Sequence, residues 1–291
     1  MTILVGFSTS RQSDAPINLA TRIARNSGER VVAAAVAERA WPPKADPIED
    51  AYLGYVTATA RQALKEVVAR VGGGLEIPTV VHQSTSVPAG LLDLAAEHHA
   101  SMVVVGSSSS GLLGRVALGS VTDRLVHTAS LPVAIAPRGY PPTPQPLTRI
   151  TAAYGGEADH NGLIGAVAQL AKSWSVAIRI VSFTVRRVSG GGPIGSAEDL
   201  VVNQWAQRMQ DEIMMQLNTI RDSMAVPDVD IVIGSGNTWR DAVESVPWES
   251  GELLALGSGA AGVSAHVFLG SAAAKIIRHS PVPVLIMPRL A

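Results

Sequence analysis

Short apolar runs rich in β-branched residues alternate with longer stretches that favour helix. In the first half the runs predict five strands, near Ile3–Phe7, Val31–Ala37, Glu76–Val81, Met102–Val105 and Pro132–Ala136. The longer stretches predict four helices, near Ala15–Asn26, Pro47–Val71, Pro88–His98 and Ser120–Thr128. Because the strands are apolar throughout and do not alternate with polar positions, we expect helices on both faces of a parallel sheet.

The second half shows the same order of elements. Its predicted strands lie near Ile150–Tyr154, Val176–Ser182, Val229–Ile233, Leu253–Leu256 and Val284–Met287. Its predicted helices lie near Asn161–Ser173, Ala197–Ser223, Thr238–Val246 and Ser271–His279. Strand–helix alternation indicates parallel βαβ units. The chain is therefore predicted to be an α/β protein with two tandem, doubly wound, five-stranded parallel-sheet domains.

An internal repeat supports two domains. At a constant offset of 151 residues, one set of residues falls on identical ones: Gly106, Ser107, Gly119, Ser120, Pro132 and Val133 on Gly257, Ser258, Gly270, Ser271, Pro283 and Val284. Between the copies, residues 139–148 are rich in proline, which is typical of an extended linker. We expect a first domain over 1–138, this linker, and a second domain over 149–291.

Composition narrows the function classes. The chain has 291 residues, 47% of them hydrophobic and 16% charged, with a net charge of −1. This balance offers no basic field for nucleic acid or an anionic membrane. Cysteine is absent, which excludes disulfides and thiolate catalysis. No signal-peptide pattern and no apolar run of about 20 residues occurs, so we expect a cytoplasmic protein.

The candidate chemistry lies in the loop after the fourth strand. Ligands of open α/β sheets bind beyond the carboxyl ends of the strands. Gly106 would let the backbone approach a ligand closely. The free N–H groups of Ser120, Val121 and Thr122 would point out of the next helix, with the positive end of its dipole behind them. The loop is therefore a candidate phosphate site.

Other interpretations compete with this one. Residues Ser120 to Asp123 also fit a capping box, which needs no ligand. The G-x-G-x-x-G run from Gly257 to Gly262 follows a fourth strand and not a first, so it is weak as a dinucleotide motif. No P-loop occurs, and no nucleophile, base or metal-ligand set converges on the loop. An enzyme is the least favoured class, with slow ATP hydrolysis as the most that is expected.

The loop spacing resembles the nucleotide motif G-x2-G-x9-G-[ST] of the universal stress protein family. It stands here as Gly106-x2-Ser109-x9-Gly119-Ser120 and as Gly257-x2-Ala260-x9-Gly270-Ser271. The first strand ILVGFSTS and the last strands LPVAIAPR and VPVLIMPR resemble those of the same family. The resemblance implies a nucleotide-binding, adenine alpha hydrolase-like fold with strand order 3-2-1-4-5. It also implies an internal pseudo-dimer through the last strands, with a homodimer as a further expectation.

The resemblance implies ATP or AMP, with Mg²⁺, as the ligand. In the first half the implied nucleotide-binding residues are Ser8, Ala37, Gly106, Ser109, Gly119, Ser120, Val121 and Thr122. A weaker or degenerate second site would use Gly257, Ala260, Gly270 and Ser271. The chain departs from the family pattern at the middle glycine of each motif and at the aspartate ending the first strand, where Ser8 and Gly155 stand.

These features leave two hypotheses. The first is a nucleotide-sensing regulatory protein of the stress response, which the retained Gly106, Gly119 and Ser120 favour. The second is a degenerate stress protein without nucleotide, acting as a scaffold or interaction module. Ser8 and Gly155 favour the second, because neither supplies the carboxylate that would accept a charge-assisted hydrogen bond from the nucleoside.

Overall fold

The computed structural model describes most of the chain. It covers residues 1–10, 13–39, 47–71, 74–155, 162–185, 193–222, 229–257 and 270–288, with side chains for all of these except 193–203. Everything below concerns these residues. Ala260, and the rest of the loop before Gly270, lie outside them.

The described residues form ten strands and eight helices, and strands and helices alternate within each half. The strands are β1 (Thr2–Gly6), β2 (Arg30–Glu38), β3 (Thr79–Ser84), β4 (Ala100–Gly106), β5 (Val133–Ala136), β6 (Arg149–Ala153), β7 (Ala177–Val185), β8 (Val229–Gly236), β9 (Glu252–Gly257) and β10 (Val284–Met287). The helices are α1 (Ala15–Ser27), α2 (Pro47–Val71), α3 (Val87–Glu97), α4 (Ser120–Thr128), α5 (Leu163–Trp174), α6 (Pro193–Arg221), α7 (Trp239–Glu244) and α8 (Ser271–His279).

All ten strands form one sheet, in the order β3-β2-β1-β4-β5-β10-β9-β6-β7-β8. Within each half the neighbours are parallel and follow the order 3-2-1-4-5, which confirms the predicted fold class. The two last strands pair antiparallel, with Val284 opposite Ile135 and Ile286 opposite Val133. The two sheets are therefore continuous through the internal pairing that the repeat predicts.

The predicted element bounds are closest where apolar runs are unbroken. Helices α2, α4 and α8 and strand β10 begin and end at the predicted residues. Strand β3 was predicted three residues too early. Pro78 has no N–H to donate, although its carbonyl accepts from Ala33 N at 2.9 Å, so the strand begins after it. It then continues through the polar His82 and Gln83, which pair with β2.

Two large apolar cores lie on opposite faces of the sheet, and each is built by both halves, while a smaller third cluster packs under α6 around Ile213 and Leu217. One core packs under α1, α2 and α5, and the other under α3, α4, α7 and α8. The paired last strands serve both cores, since Ala134 and Leu285 enter the first while Ile135 and Val284 enter the second. The halves therefore share their buried surface across the β5–β10 pairing.

The proline-rich segment 139–148 is held against α1. Its Tyr140 and Leu147 are buried. The Arg22 guanidinium of α1, only 3% exposed, donates to the Tyr140 hydroxyl at 2.7 Å and to the carbonyls of Gln145 (2.9 Å), Pro146 (3.1 Å) and Ser250 (2.6 Å). Arg22 thus joins the first half, the linker and the turn before β9.

A buried ion-pair network lies near the amino-terminal ends of β6, β7 and β9. The Glu252 carboxylate, fully buried, accepts from Arg149 Nε and from Thr151 Oγ1, each at 2.7 Å. Arg179 Nη2 lies 2.5 Å from the same oxygen, as an ion contact without hydrogen-bond geometry. Burial lowers the pKa of the Arg179 guanidinium, although the Glu252 charge opposes that effect.

Candidate functional site

A cavity of about 470 Å³ opens at the carboxyl ends of β1, β2 and β4. This is the edge of the sheet at which open α/β folds bind ligands, and the volume is within the ordinary range of small-molecule sites. The start of α4 closes one side of the cavity, and α2 and α3 close the other. The loop that follows β1 lines the mouth with four hydroxyl residues, Ser8, Thr9, Ser10 and Ser13.

The loop from β4 to α4 is fixed by its own hydrogen bonds. The Ser107 hydroxyl accepts from Ala117 N at 2.7 Å, and Ser108 N donates to the Ala117 carbonyl, also at 2.7 Å. At its far end, the buried Thr122 hydroxyl donates to the Gly106 carbonyl at 3.2 Å. The end of β4 and the first turn of α4 are therefore tied together before any ligand binds.

The amino terminus of α4 has no side-chain cap. Gly119 is the N-cap residue, and the first intrahelical bond runs from Asp123 N to the Gly119 carbonyl at 2.8 Å. Ser120 is the first helical residue, so the capping-box interpretation is wrong. Among the described residues, no acceptor meets the N–H groups of Ser120, Val121 and Thr122. These three groups border the cavity and remain available to a ligand.

Most of the residues that the sequence nominated meet at this cavity. Its wall includes Ser8, Ala37, Gly106, Gly119, Ser120, Val121 and Thr122. Ser109 is exposed at the tip of the loop and is not part of the wall. Asp123, whose charge would oppose a phosphate, is also outside the wall, and its carboxylate lies 3.9 Å from His127 Nδ1 along the helix.

Other wall residues were not nominated from the sequence. They are chiefly Val36, Glu38, Tyr52, Val56, Val87 and Leu91. The rule that ligands bind at carboxyl strand ends, applied to β2 as well as to β4, would have found Glu38. Tyr52 and Val56 carry no such signal, because they reach the cavity only through the packing of α2 beside β2.

The second half is described only in part at the corresponding place. Gly257 ends β9, and Gly270 is the N-cap of α8, again without a side-chain cap. Ser271 is exposed as the first helical residue. Ala260 lies in the undescribed loop between them, so the predicted second site is not assembled by the described residues.

Arg115 connects the first-half loop to the second half. Its Nη2 atom lies 2.6 Å from Glu244 Oε1 of α7, and its Nη1 atom donates to the His279 carbonyl at the end of α8, also at 2.6 Å. Burial, with the nearby charges of Arg240 and Arg115, lowers the pKa of His279. The loop that borders the cavity thus contacts two helices of the other half.

No described helix has the length and apolar character needed to cross a membrane. No cluster of three or more His, Asp or Glu side chains that could hold a metal ion occurs in the same part of the chain.

Comparisons with known proteins agree over the whole chain. The model of the universal stress protein family matches residues 1–137 and 146–288. A universal stress protein of Mycobacterium tuberculosis (strain ATCC 25618 / H37Rv) is 34% identical over 294 residues, covering 99% of this chain and 100% of the relative. The crystal structure of a universal stress protein from Archaeoglobus fulgidus DSM 4304 aligns with a TM-score of 0.61 at 16% identity, covering 99% of this chain and 98% of that one. A universal stress protein solved in complex with cAMP covers 48% of this chain and 98% of its own, at 25% identity and a TM-score of 0.34.

Proposed function

Since the chain belongs to the universal stress protein family, we propose that it is a nucleotide-sensing regulatory protein of the stress response. The nucleotide, ATP or AMP, occupies the cavity of the first half. The observation that carries this proposal is the uncapped amino terminus of α4, whose three free N–H groups border a cavity with apolar walls. Nucleotide binding would act on shape or association, and any ATP hydrolysis would be slow.

Backbone N–H donors at the start of α4 support placing the phosphate end of the ligand there. Helix amino termini favour anions, because unsatisfied N–H groups and the helix dipole act together. The Ser8 and Ser120 hydroxyls add neutral donors at the cavity wall. Glu38 is the only carboxylate among the described wall residues. For ATP we therefore expect the phosphates to supply most of the oxygen ligands of a bound Mg²⁺ ion.

The first half is proposed as the stronger site. Ser8 can still accept a hydrogen bond from the nucleoside, whereas Gly155 of the second half has no side chain to do so. A hydrogen bond to a charged group contributes about 1.5–3 kcal/mol, against about 1 kcal/mol for a neutral one. Serine in place of aspartate should thus cost on the order of tenfold in affinity, and glycine more. We expect one weak site per chain.

The test is calorimetric titration of the full chain with AMP and with ATP and Mg²⁺, comparing Gly119→Val with Gly270→Val. The Gly119 backbone is extended (φ −96°, ψ 170°), so valine is conformationally acceptable there, while its side chain would occupy the phosphate position. A Cβ atom at Gly270 meets no atom of the described residues within 4 Å, so we expect that variant to fold as well. We expect Gly119→Val to lose binding by at least about tenfold and Gly270→Val to retain it.

Two outcomes would contradict the proposal. If Gly119→Val folds and binds normally, this loop is not the site; if only Gly270→Val loses binding, the second half is the site. Absence of nucleotide, both in titrations and in protein purified without added ligand, would favour the alternative of a scaffold or interaction module. The specific feature behind that alternative is the lack of a carboxylate at Ser8 and Gly155.

A further inference from the structure

The wall of the first-half cavity has two chemically different sides. The hydroxyl residues come from the loop after β1, the end of β4 and the start of α4. The elements β2, α2 and α3 supply mainly apolar surface, including Val36, Tyr52, Val56 and Leu91. A flat base packs best against apolar and aromatic side chains, and a phosphate against N–H and O–H donors. The two sides therefore suit the two ends of a nucleotide.

Glu38 lies on the apolar side and is the only charged residue among the described wall residues. It is the last residue of β2 and pairs with Ser84 of β3. Its Oε1 atom accepts from Val87 N, the first residue of α3, at 3.2 Å. No other described group bonds this side chain, so the second carboxylate oxygen has no partner among the described residues. Glu38 is exposed, and this oxygen is an acceptor beside the apolar wall.

We infer that Glu38 accepts a hydrogen bond from the nucleoside end of the ligand and thereby fixes both its orientation and its specificity. A carboxylate is an acceptor only, so it can take an N–H or O–H donor but repels a phosphate. Strand β1 lies between β2 and β4, so Glu38 is displaced by two strand spacings, roughly 10 Å, from the strand that leads into α4. The phosphate therefore lies at α4 and the nucleoside at β2.

This inference rests on the proposed function and adds a residue that discriminates between nucleotides. The donors that Glu38 could meet are the ribose hydroxyls and the exocyclic amine of adenine. Both present the same chemistry, a neutral donor opposite a charged acceptor. Ser8, by contrast, is neutral, and its hydroxyl lies 3.1 Å from the Ser10 hydroxyl. Glu38 therefore supplies, from a different strand, the charged acceptor that the end of β1 lacks.

The experiment measures the affinities of AMP, 2′-deoxy-AMP, 3′-deoxy-AMP and purine riboside 5′-monophosphate, which lacks the amine. They are compared in the full-length chain, in Glu38→Met and in Ser86→Ala. Ser86 caps α3 by accepting from Ala89 N at 3.3 Å and is not part of the cavity wall, so Ser86→Ala controls for effects through α3. We expect one analogue to bind the unaltered chain about tenfold more weakly than AMP, which identifies the donor. In Glu38→Met that difference should fall below about threefold, with Glu38→Gln intermediate and Ser86→Ala like the unaltered chain.

The outcomes separate this inference from the proposed function. If AMP binds and Gly119→Val abolishes binding, but Glu38→Met still discriminates among the analogues, the role of Glu38 is refuted while the site stands. The same holds if the unaltered chain discriminates against no analogue. A loss in Ser86→Ala equal to that in Glu38→Met also refutes it, because Glu38 would then act only through α3. If the unaltered chain binds no AMP, or if Gly119→Val binds it normally, the site and the inference fail together.

Discussion

Replacing Glu252 by Gln tests the buried ion-pair network of the second half. The substitution keeps the shape of the side chain but removes the fully buried carboxylate next to Arg179, which is itself 1% exposed. It also places an amide N–H₂ group or a neutral oxygen where Glu252 Oε2 accepts from Glu249 N at 2.9 Å. Breaking a buried pair by removing one charge costs about 3–5 kcal/mol, because the other charge is left buried and uncompensated.

Glu249→Gln is the matched control. The Glu249 carboxylate bonds Arg149 Nη2 at 2.8 Å, but its side chain is 63% exposed. Exposed pairs contribute about 0–1 kcal/mol, so this variant should be nearly as stable as the unaltered chain. The two substitutions make the same chemical change three positions apart and differ mainly in burial.

The assay is urea unfolding followed by tryptophan fluorescence, with thermal unfolding alongside. Trp248 is a local probe, because the Arg179 guanidinium lies 5.1 Å from the centre of its ring. A loss of 3–5 kcal/mol corresponds to a fall in Tm of roughly 5–8 °C for a chain of 291 residues. Equal stability losses in Glu252→Gln and Glu249→Gln would refute the reasoning, and so would a Glu252→Gln protein as stable as the unaltered chain.

Two further predictions concern other charged groups. Arg22→Met should lower the free energy of unfolding by about 1–3 kcal/mol and speed proteolysis within residues 139–148, because the carbonyls of Gln145 and Pro146 lose the buried donor that holds them against α1. Arg25→Met, which removes an exposed bond, is the control, and equal effects would contradict the argument. His279→Gln should flatten the decline in stability on acidification below about pH 6.5. The folded-state pKa of His279 lies below the ordinary histidine value, so below about pH 6.5 the unfolded chain binds more protons and is stabilised relative to the folded one. An unchanged pH profile would contradict this.

The order and type of the elements could be predicted from the sequence because the central strands are buried on both faces. Such strands are unbroken apolar runs, and β10 was placed to the residue. Strand β3 is at the edge of the sheet, where one side has no strand to pair with and polar residues such as His82 and Gln83 are tolerated. The apolar pattern therefore placed the bounds of this strand three residues too early.

The candidate site was predictable only where it follows from a single loop. Gly106, Gly119 and Ser120 lie within one connection, so their spacing in sequence is also their grouping in space. Glu38 and Tyr52 reach the same cavity because β2 lies beside β1 and α2 packs against β2, which no local pattern indicates. The capping-box error has a local cause as well, since Ser120 lies one residue inside the helix and not at its boundary.

The antiparallel pairing of β5 with β10 has a consequence for how the protein responds to its surroundings. Joining two protein molecules through such strands would depend on their concentration, and the joined form would fall apart on dilution. Here both strands belong to one chain, so the contact is intramolecular and its effective concentration is set by the connection, not by the amount of protein. Even in a cell with only a few copies of the protein, β5 and β10 of every molecule would remain paired. Under the proposed function, the response of each molecule would follow the level of the nucleotide and not the amount of the protein.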